Sequence, residues 1–350
     1  MKSFVLSKAD GSIPIVSLIV VFKNFENNDI QSLIESTKKV SVKYEIILIV
    51  DQASNEAVQK LLFAMFYNKP NLTCLRTIIM AHKSSVTSGR NMGAALAKGS
   101  ILFFADDDSV VLDDIAPLVN RIQKGECDGI QPLILKLANS DVIDSAGDFI
   151  RHNQGLYGAY CKGAGELVND LSSDLHLEEV PSLRGAFMLV KKDAFFAIGG
   201  MDDSLLFNFE DVDLGWRMVC AGDTLLFDPA VKELHKGGST TEQSDLVNEE
   251  VYSLGLVNSF IINLKIVKMS VWFNVLFQFE KKLILYEFSK IKNHHSSFFI
   301  LILDILKLNN FFLKRGLHAI VDRRVLHEYK FRGSRKLYDM AHGKRFIISD

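Results

Sequence analysis

Ile101-Leu102-Phe103-Phe104-Ala105 runs straight into Asp106-Asp107-Asp108. Five apolar residues without polar alternation describe a strand covered on both faces, and the acids leave it at its carboxyl end. Just before it, Ser88 to Lys98 carries a helical pattern, with Gly99 expected as the residue that closes the helix. Working outward, Val16–Phe22 and Glu45–Val50 repeat the continuous apolar pattern, and Leu75 to Met80 is a further strand. Asp29 to Val40 is predicted helical, with Asn28 or Asp29 at its cap. Ser54 caps a second helix whose Val58, Leu61, Leu62, Met65 and Phe66 share one face. Strands alternating with helices in this way predict an α/β fold, a parallel sheet with helices on both faces. Ligands in such sheets bind beyond the carboxyl ends of the strands, so Asp51 and Asp106–Asp108 are expected to meet in space.

Composition agrees with a large folded core. The chain has 350 residues, 48% hydrophobic and 23% charged, with a net charge of −2, which excludes a disordered polyelectrolyte. Four cysteines (Cys74, Cys127, Cys161, Cys220) form no CxxC pair, which argues against a zinc module or disulfide scaffold and for a reducing, cytoplasmic compartment. Met1 to Ile13 lacks the apolar run of a signal peptide, and no window reaches the ~18 apolar residues expected of a membrane span. The charge is unevenly placed: residues 251–350 hold 17 basic and 7 acidic residues, against 23 and 35 in residues 1–250.

Beyond Gly129 the pattern is less regular. Gly147 to Gly165 suits loops or short hairpins. Arg184–Lys191 is predicted as a strand, Lys192–Ile198 as a short helix closed by Gly199-Gly200, and Glu210–Ala221 as a helix with Leu214, Met218 and Ala221 on one side. Thr224–Phe227 is predicted as a strand ending at Asp228-Pro229, and His235–Ser239 as a loop. From about residue 245 the pattern is helical.

Four groups carry candidate chemistry. Asp106 and Asp108, two apart in an extended segment, can face one site and offer the hard oxygen ligands that suit Mg²⁺ or Mn²⁺, although an acidic triplet also serves as a solvated loop. Glu210, Asp211 and Asp213 open a helix, where acids suit the dipole and where one carboxylate can equally act as a general base. His235, beside Gly237-Gly238, suits Mn²⁺ as well as a structural role. Arg90, in Ser88-Gly89-Arg90-Asn91-Met92-Gly93, stands near a helix start where a guanidinium and backbone N–H groups meet phosphate oxygens.

In this order the segments resemble the family 2 glycosyltransferases with their GT-A nucleotide-diphospho-sugar transferase fold, over about residues 14–242. The likeness rests on Val16–Asn24, Glu45–Ser54, Ser88–Gly93, Gly99–Asp108, Arg184–Gly200, Asn208–Gly222 and His235–Ser239. It implies that Asp106 and Asp108, with His235 as third ligand, hold Mg²⁺ or Mn²⁺ on the diphosphate of a nucleoside diphosphate sugar. It also implies that Asp211 is the base that deprotonates the acceptor hydroxyl, with inversion at the sugar. Asp51, Arg90, Asp106 and Asp107 would bind the donor, with Glu210, Asp213 and Asn24 in support. The histidine is similar to that of the rhamnosyl- and galactofuranosyltransferase branch, so the donor is expected to carry rhamnose or another deoxyhexose or hexose. The acceptor is expected to be a saccharide or lipid-linked saccharide of the cell surface. Phe22-Lys23-Asn24 and Asp51-Gln52-Ala53 depart from the family pattern where the nucleotide base is read.

The organisation expected is a catalytic domain over 1–245, with a donor half at about 14–125 and an acceptor half at 126–245, then a basic, mainly helical region over 246–350. Apolar residues Leu301, Ile305, Leu308 and Phe312, continued by Leu317, Ile320 and Val321, alternate with Lys281-Lys282, Lys314-Arg315, Arg323-Arg324 and Arg335-Lys336. This tail suits an anionic membrane surface, making the protein peripheral on the cytoplasmic face; it equally suits a helical subdomain packed on the catalytic body. No nucleic-acid motif accompanies the charge. Competing readings are a sugar-nucleotide pyrophosphorylase, a non-catalytic sugar-nucleotide-binding or scaffold protein, and a nicotinamide oxidoreductase. The first lacks a glycine- and arginine-rich loop in Phe22–Asn28, the second does not account for an intact acid and histidine set, and the third lacks GxGxxG.

Overall fold

The computed structural model describes residues 2–8, 11–22, 28–51, 66, 69–80, 85–153, 156–206, 208–237, 244–267, 269–294, 309–310, 312–314, 334–344 and 346. The helix expected after Ser54, apart from Phe66, and the apolar stripe around Leu301 and Leu317, apart from Phe312, lie outside the described residues.

The strands are β1 (Lys2–Ser7), β2 (Val16–Phe22), β3 (Tyr44–Asp51), β4 (Leu72–Met80), β5 (Ile101–Ala105), β6 (Ser109–Val110), β7 (Gly129–Lys136), β8 (Asn139–Ser145), β9 (Asp148–Asn153), β10 (Leu156–Cys161), β11 (Glu178–Glu179), β12 (Phe187–Lys191) and β13 (Leu225–His235). They form an 11-stranded sheet in the order β1-β4-β3-β2-β5-β12-β7-β13-β11, with β6 on β13 and β8 on β7, and a separate antiparallel β9–β10 pair.

The expected α/β architecture is present, and its cause is visible in the strands. In β2, β3 and β5 alternate apolar residues enter opposite cores. Ile19, Ile47, Ile49, Leu102 and Phe104 pack on one face, and Val16, Leu18, Ile46, Leu48 and Phe103 on the other. β2 pairs in parallel with β3 and β5, and β3 with β4. Asp51 therefore ends β3 on the same rim at which Asp106 leaves β5. Helix Val86–Leu96 lies directly on β2 because Gly89 and Gly93 carry no Cβ; one would stand 2.8 Å from Val21 and 2.4 Å from Ile19.

Local boundaries differ from expectation for physical reasons. That helix starts at Val86, with the Ser85 hydroxyl accepting from Ser88 N at 3.1 Å, and ends at Leu96. Gly99 is not its left-handed cap. It is a close-approach glycine, where a Cβ would stand 2.8 Å from Ile15 O, and its N–H bonds Ser17 Oγ at 2.9 Å. The first helix spans Asn28–Ser36 and tightens into a 3₁₀ turn at Thr37–Lys39. Helix Glu210–Ala221 matches its expected bounds, closed by left-handed Gly222 (φ 103°).

Two features of the second half build the site. β12 runs antiparallel to both β5 and β7, and brings Ala186 O to 3.2 Å from Asp106 N. β13 does not stop at Asp228-Pro229. A bulge between Asp228 and Lys232 carries it on, parallel to β7, so His235 is the last residue of a strand and pairs with Ser109. His235 is thus held by the sheet, not by a loop.

The helices Ser244–Ile266, Trp272–His294 and Ser334–Ala341 pack on the body. Val257, Phe260, Ile261, Val275, Phe279, Leu283, Phe312, Leu337 and Met340 belong to the same core as Trp216 and Met218, and Phe279 stacks on Phe312 at 4.2 Å. Among the described residues no helix is long and apolar enough to cross a membrane.

Candidate active site

The acidic turn after β5 is closed by Ser109 N donating to Asp106 O at 3.2 Å. A turn, and not strand alternation, therefore brings Asp106 and Asp108 to one side. His235 Nε2 lies 3.2 Å from Asp108 Oδ1 and 3.8 Å from Asp106 Oδ2. The three residues offer ligand atoms that all lie within 4.8 Å of one another. The other ring nitrogen, Nδ1, meets Asp144 Oδ2 at 2.9 Å. A carboxylate behind a histidine fixes the ring so that its free nitrogen faces the metal. Burial acts to lower the His235 pKa, but hydrogen bonds to Asp108 and Asp144 and the charge of Asp106 hold it up at about 10. Such a concentration of negative charge around one imidazole, with hard oxygens and a borderline nitrogen, fits Mg²⁺ or Mn²⁺. Asp107 sits in the turn, its carboxyl pushed up to about 7 by burial and by Asp106 and Asp108.

A cleft of about 270 Å³ opens beside this cluster, lined by Asp106, His235, Arg90, Glu210, Asp211 and Arg184 among others. Arg90 ties its parts together. One of its terminal nitrogens, Nη2, donates to Asp106 Oδ1 at 2.7 Å and to Gly185 O at 2.8 Å; the other, Nη1, lies 3.5 Å from Glu210 Oε1. Gly185 N in turn donates to Asp211 Oδ2 at 2.8 Å, and Val212 N to Asp211 Oδ1 at 2.8 Å. Asp106, Arg90, Gly185 and Asp211 thus form one connected network, and Asp211 keeps acceptor capacity toward the cleft. Glycine at 185 lets Arg90 and Asp211 come this close, since a Cβ would stand 2.9 Å from Arg90 Nη1 and 3.2 Å from Asp211 Oδ2 and would displace one of them. Burial and the charge of Asp211 push the Glu210 carboxyl up to about 7 against the pull of Arg90.

The structure brings Arg90, Asp106, Asp108, Glu210, Asp211 and His235 together, as expected. It sends Asp213 elsewhere: this buried carboxylate is bound by Arg217 Nε at 2.7 Å and Lys265 Nζ at 2.7 Å and does not line the cleft. The side chain of Asp51 and all of Asn24 lie outside the described residues. Sequence reasoning missed Asp144, Asp148 and Gly185. Asp148 is buried beside Arg184 at 3.8 Å. Burial, aided by the charge of Asp211, lifts it to about 6 against Arg184. No motif marks Asp144 or Asp148; an acid in an otherwise ordinary hairpin region is their sole trace.

Sheet order, acidic turn and histidine together define a GT-A fold. Residues 17–164 match the profile of glycosyl transferase family 2. Among solved structures the fold is shared with GalNAc-T7, crystallised with UDP, GalNAc and Mn²⁺, at 17% identity and a TM-score of 0.61, over 95% of this chain and 58% of that one. It is also shared with S. aureus TarS 1-349, at 13% identity and a TM-score of 0.50, over 93% and 90% of the two chains. The chain therefore spans little more than half the length of GalNAc-T7. No curated protein matches it.

Proposed function

We propose that this chain is an inverting glycosyltransferase that uses Mg²⁺ or Mn²⁺ to move a sugar from a nucleoside diphosphate sugar to a hydroxyl of a saccharide or lipid-linked saccharide. The observation that carries the proposal is the convergence of Asp106, Asp108 and His235 within 4.8 Å at the edge of the cleft that Asp211 lines. The match of residues 17–164 to family 2 supports it, as does the UDP and Mn²⁺ of GalNAc-T7.

When bound, the divalent ion supplies positive charge against the diphosphate as it leaves. Asp106, Asp108 and His235 would hold that ion, and the contact of Asp144 Oδ2 with Nδ1 leaves Nε2 of the imidazole free to face it. Arg90 fixes Asp106 on one side and Gly185 on the other. Asp211, anchored by two backbone N–H groups, accepts the proton of the acceptor hydroxyl as that oxygen attacks the anomeric carbon. Attack from the side opposite the leaving group inverts the configuration. General-base assistance of this kind is worth about 10²–10⁴-fold.

Residues 1–245 are the catalytic region in this proposal, with Asp51 and Asp107 at the donor, and the described helices beyond them, Trp272–His294 and Ser334–Ala341, pack on it. Rhamnose and other deoxyhexose or hexose donors are the first to try. The same proposal places the protein on the cytoplasmic face of an anionic membrane. Phe273 and Phe277, exposed on helix Trp272–His294 beside exposed Lys281 and Lys282, support that placement. Anionic vesicles should pull down the full chain and release a Phe273→Ser, Phe277→Ser variant; equal partitioning would remove the membrane contact.

The decisive experiment is a panel of nucleotide sugars with Mn²⁺ and saccharide acceptors, read by turnover and by NMR of the product anomer. Inverted product supports the proposal. Absence of turnover and of thermal stabilisation with every donor would refute it, and retained configuration would remove Asp211 as the base.

A further inference from the structure

The segment from Asp202 to Asp213 carries Asp211 into the cleft, and helix Ser244–Ile266 grips it along its length. At the ends, the fully buried Lys265 places Nζ 2.6 Å from Asp202 Oδ2 and 2.7 Å from Asp213 Oδ1. Between them Leu206, Asn208 and Phe209 have φ of 51°, 69° and 71°. Side chains rarely adopt this backbone, and such residues persist only where their surroundings over-determine them. Asn258 supplies that constraint. Its buried Nδ2 donates to Leu205 O at 2.9 Å and to Asn208 O at 2.8 Å, one carbonyl just before the strained turn and one within it. Gly255, three residues earlier, lets the helix come this close, since a Cβ there would stand 2.7 Å from Asn208 Nδ2. Asn208 and Phe209 line the cleft, and Phe209 O accepts from Asp213 N at 2.9 Å in the first turn of the helix that bears Asp211.

We infer that Asn258 is a positioning residue for Asp211, pinning the left-handed turn so that the base and the cleft wall beside it are set before an acceptor arrives. The inference rests on the reading of Asp211 as the base. It gives Asn258 a part in the active site, although that residue belongs neither to the metal cluster nor to the cleft lining.

The test uses the full chain, with Asn258→Leu to remove the two donated bonds and Ile261→Ala as a cavity control in the same buried helix face. Hydrogen exchange, Mn²⁺ affinity and, with the donor found active, kcat and KM are measured for each. For Asn258→Leu, amide protection should fall about tenfold within 205–213 and little elsewhere. Mn²⁺ affinity and donor KM should stay near those of the parent, while kcat falls about 10–100-fold, the scale of a misplaced catalytic group. Ile261→Ala should melt earlier yet keep both protection at 205–213 and kcat. Should Asn258→Leu fail to fold, Gly255→Ala presses on Asn208 from the same helix and is expected to give the same local pattern. Unchanged exchange at 205–213, or a loss spread evenly as in the control, would overturn the inference. A parent chain that turns over no nucleotide sugar counts against the transferase reading alone; the exchange pattern then still decides whether Asn258 holds the turn.

Discussion

Replacing Asp144 isolates the metal site from everything else in the cleft. Its Oδ2 lies 2.9 Å from His235 Nδ1, on the far side of the ring from the Nε2 that faces Asp108 at 3.2 Å. Asp144 touches no proposed ligand except through this ring, so its loss leaves Asp106, Asp108 and His235 in place. What is lost is the force that holds the ring in one tautomer and one orientation. Such outer partners are worth about 10–100-fold in metal affinity, or about 1.4–2.7 kcal/mol at 1.36 kcal/mol per decade. Asp144→Asn keeps an oxygen able to accept from Nδ1–H and loses only charge, so it should fall near tenfold, whereas Asp144→Ala frees the ring and should approach a hundredfold. The assay is Mn²⁺ titration of the full chain, followed by electron paramagnetic resonance of the free ion at constant pH. Asp174→Asn, an acid paired with Lys162 away from the cluster, serves as the control and should match the parent. An Asp144→Ala protein that binds Mn²⁺ as tightly as the parent would refute the reasoning, because His235 would then not be a ligand oriented from behind.

Asp211→Asn should lower transfer by about 10²–10⁴-fold while stabilisation by nucleotide and Mn²⁺ in a thermal shift assay is kept; loss of both would mean a structural role. Gly185→Ala forces a methyl to within 2.9 Å of Arg90 Nη1 and 3.2 Å of Asp211 Oδ2, so steady-state kinetics should show kcat reduced about tenfold or more, with Mn²⁺ affinity unchanged. Lys265→Met leaves the Asp213 carboxylate buried without that cation and should cost about 3–5 kcal/mol in urea unfolding. Burial acts to raise the Asp202 pKa, but the charge and hydrogen bond of Lys265 hold it below its ordinary value of 3.8. The stability from that pair is therefore complete above pH 3.8 and is lost as pH falls below it toward the folded value. A parent chain whose unfolding free energy falls no faster than that of Lys265→Met in this acid range would contradict the assignment.

How much of this was legible depended on whether a residue's role is local. The apolar runs of β2, β3 and β5 are buried on both faces, so each announces itself without reference to its neighbours, and the acids at their ends follow from strand direction. Helix Glu210–Ala221 was equally clear from its acidic first turn and Gly222. β1 was not legible: Lys2–Ser7 is a half-exposed edge that earns its place by pairing with β4. β7 was hidden by Gln131 and Pro132, and β13 by Pro229, because a bulge that carries a strand past proline is a property of the sheet and not of the segment. The acids show the same division. Glu210, Asp211 and Asp213 are equivalent as helix-opening charges. Lys265, 52 positions away, claims Asp213 for the tail, and Gly185 claims Asp211 for the cleft. Asp144 and Asn258 act through partners 91 and 50 to 53 residues distant, and no spacing rule reaches that far.

The central claim is that one divalent ion sits among Asp106, Asp108 and His235. Anomalous diffraction from crystals grown with Mn²⁺ and a nucleoside diphosphate measures this directly. A peak about 2.0–2.3 Å from His235 Nε2 and from a carboxylate oxygen of each aspartate is expected. A bound Mn²⁺ elsewhere in the cleft, or nucleotide bound with no ion near His235, would contradict the account.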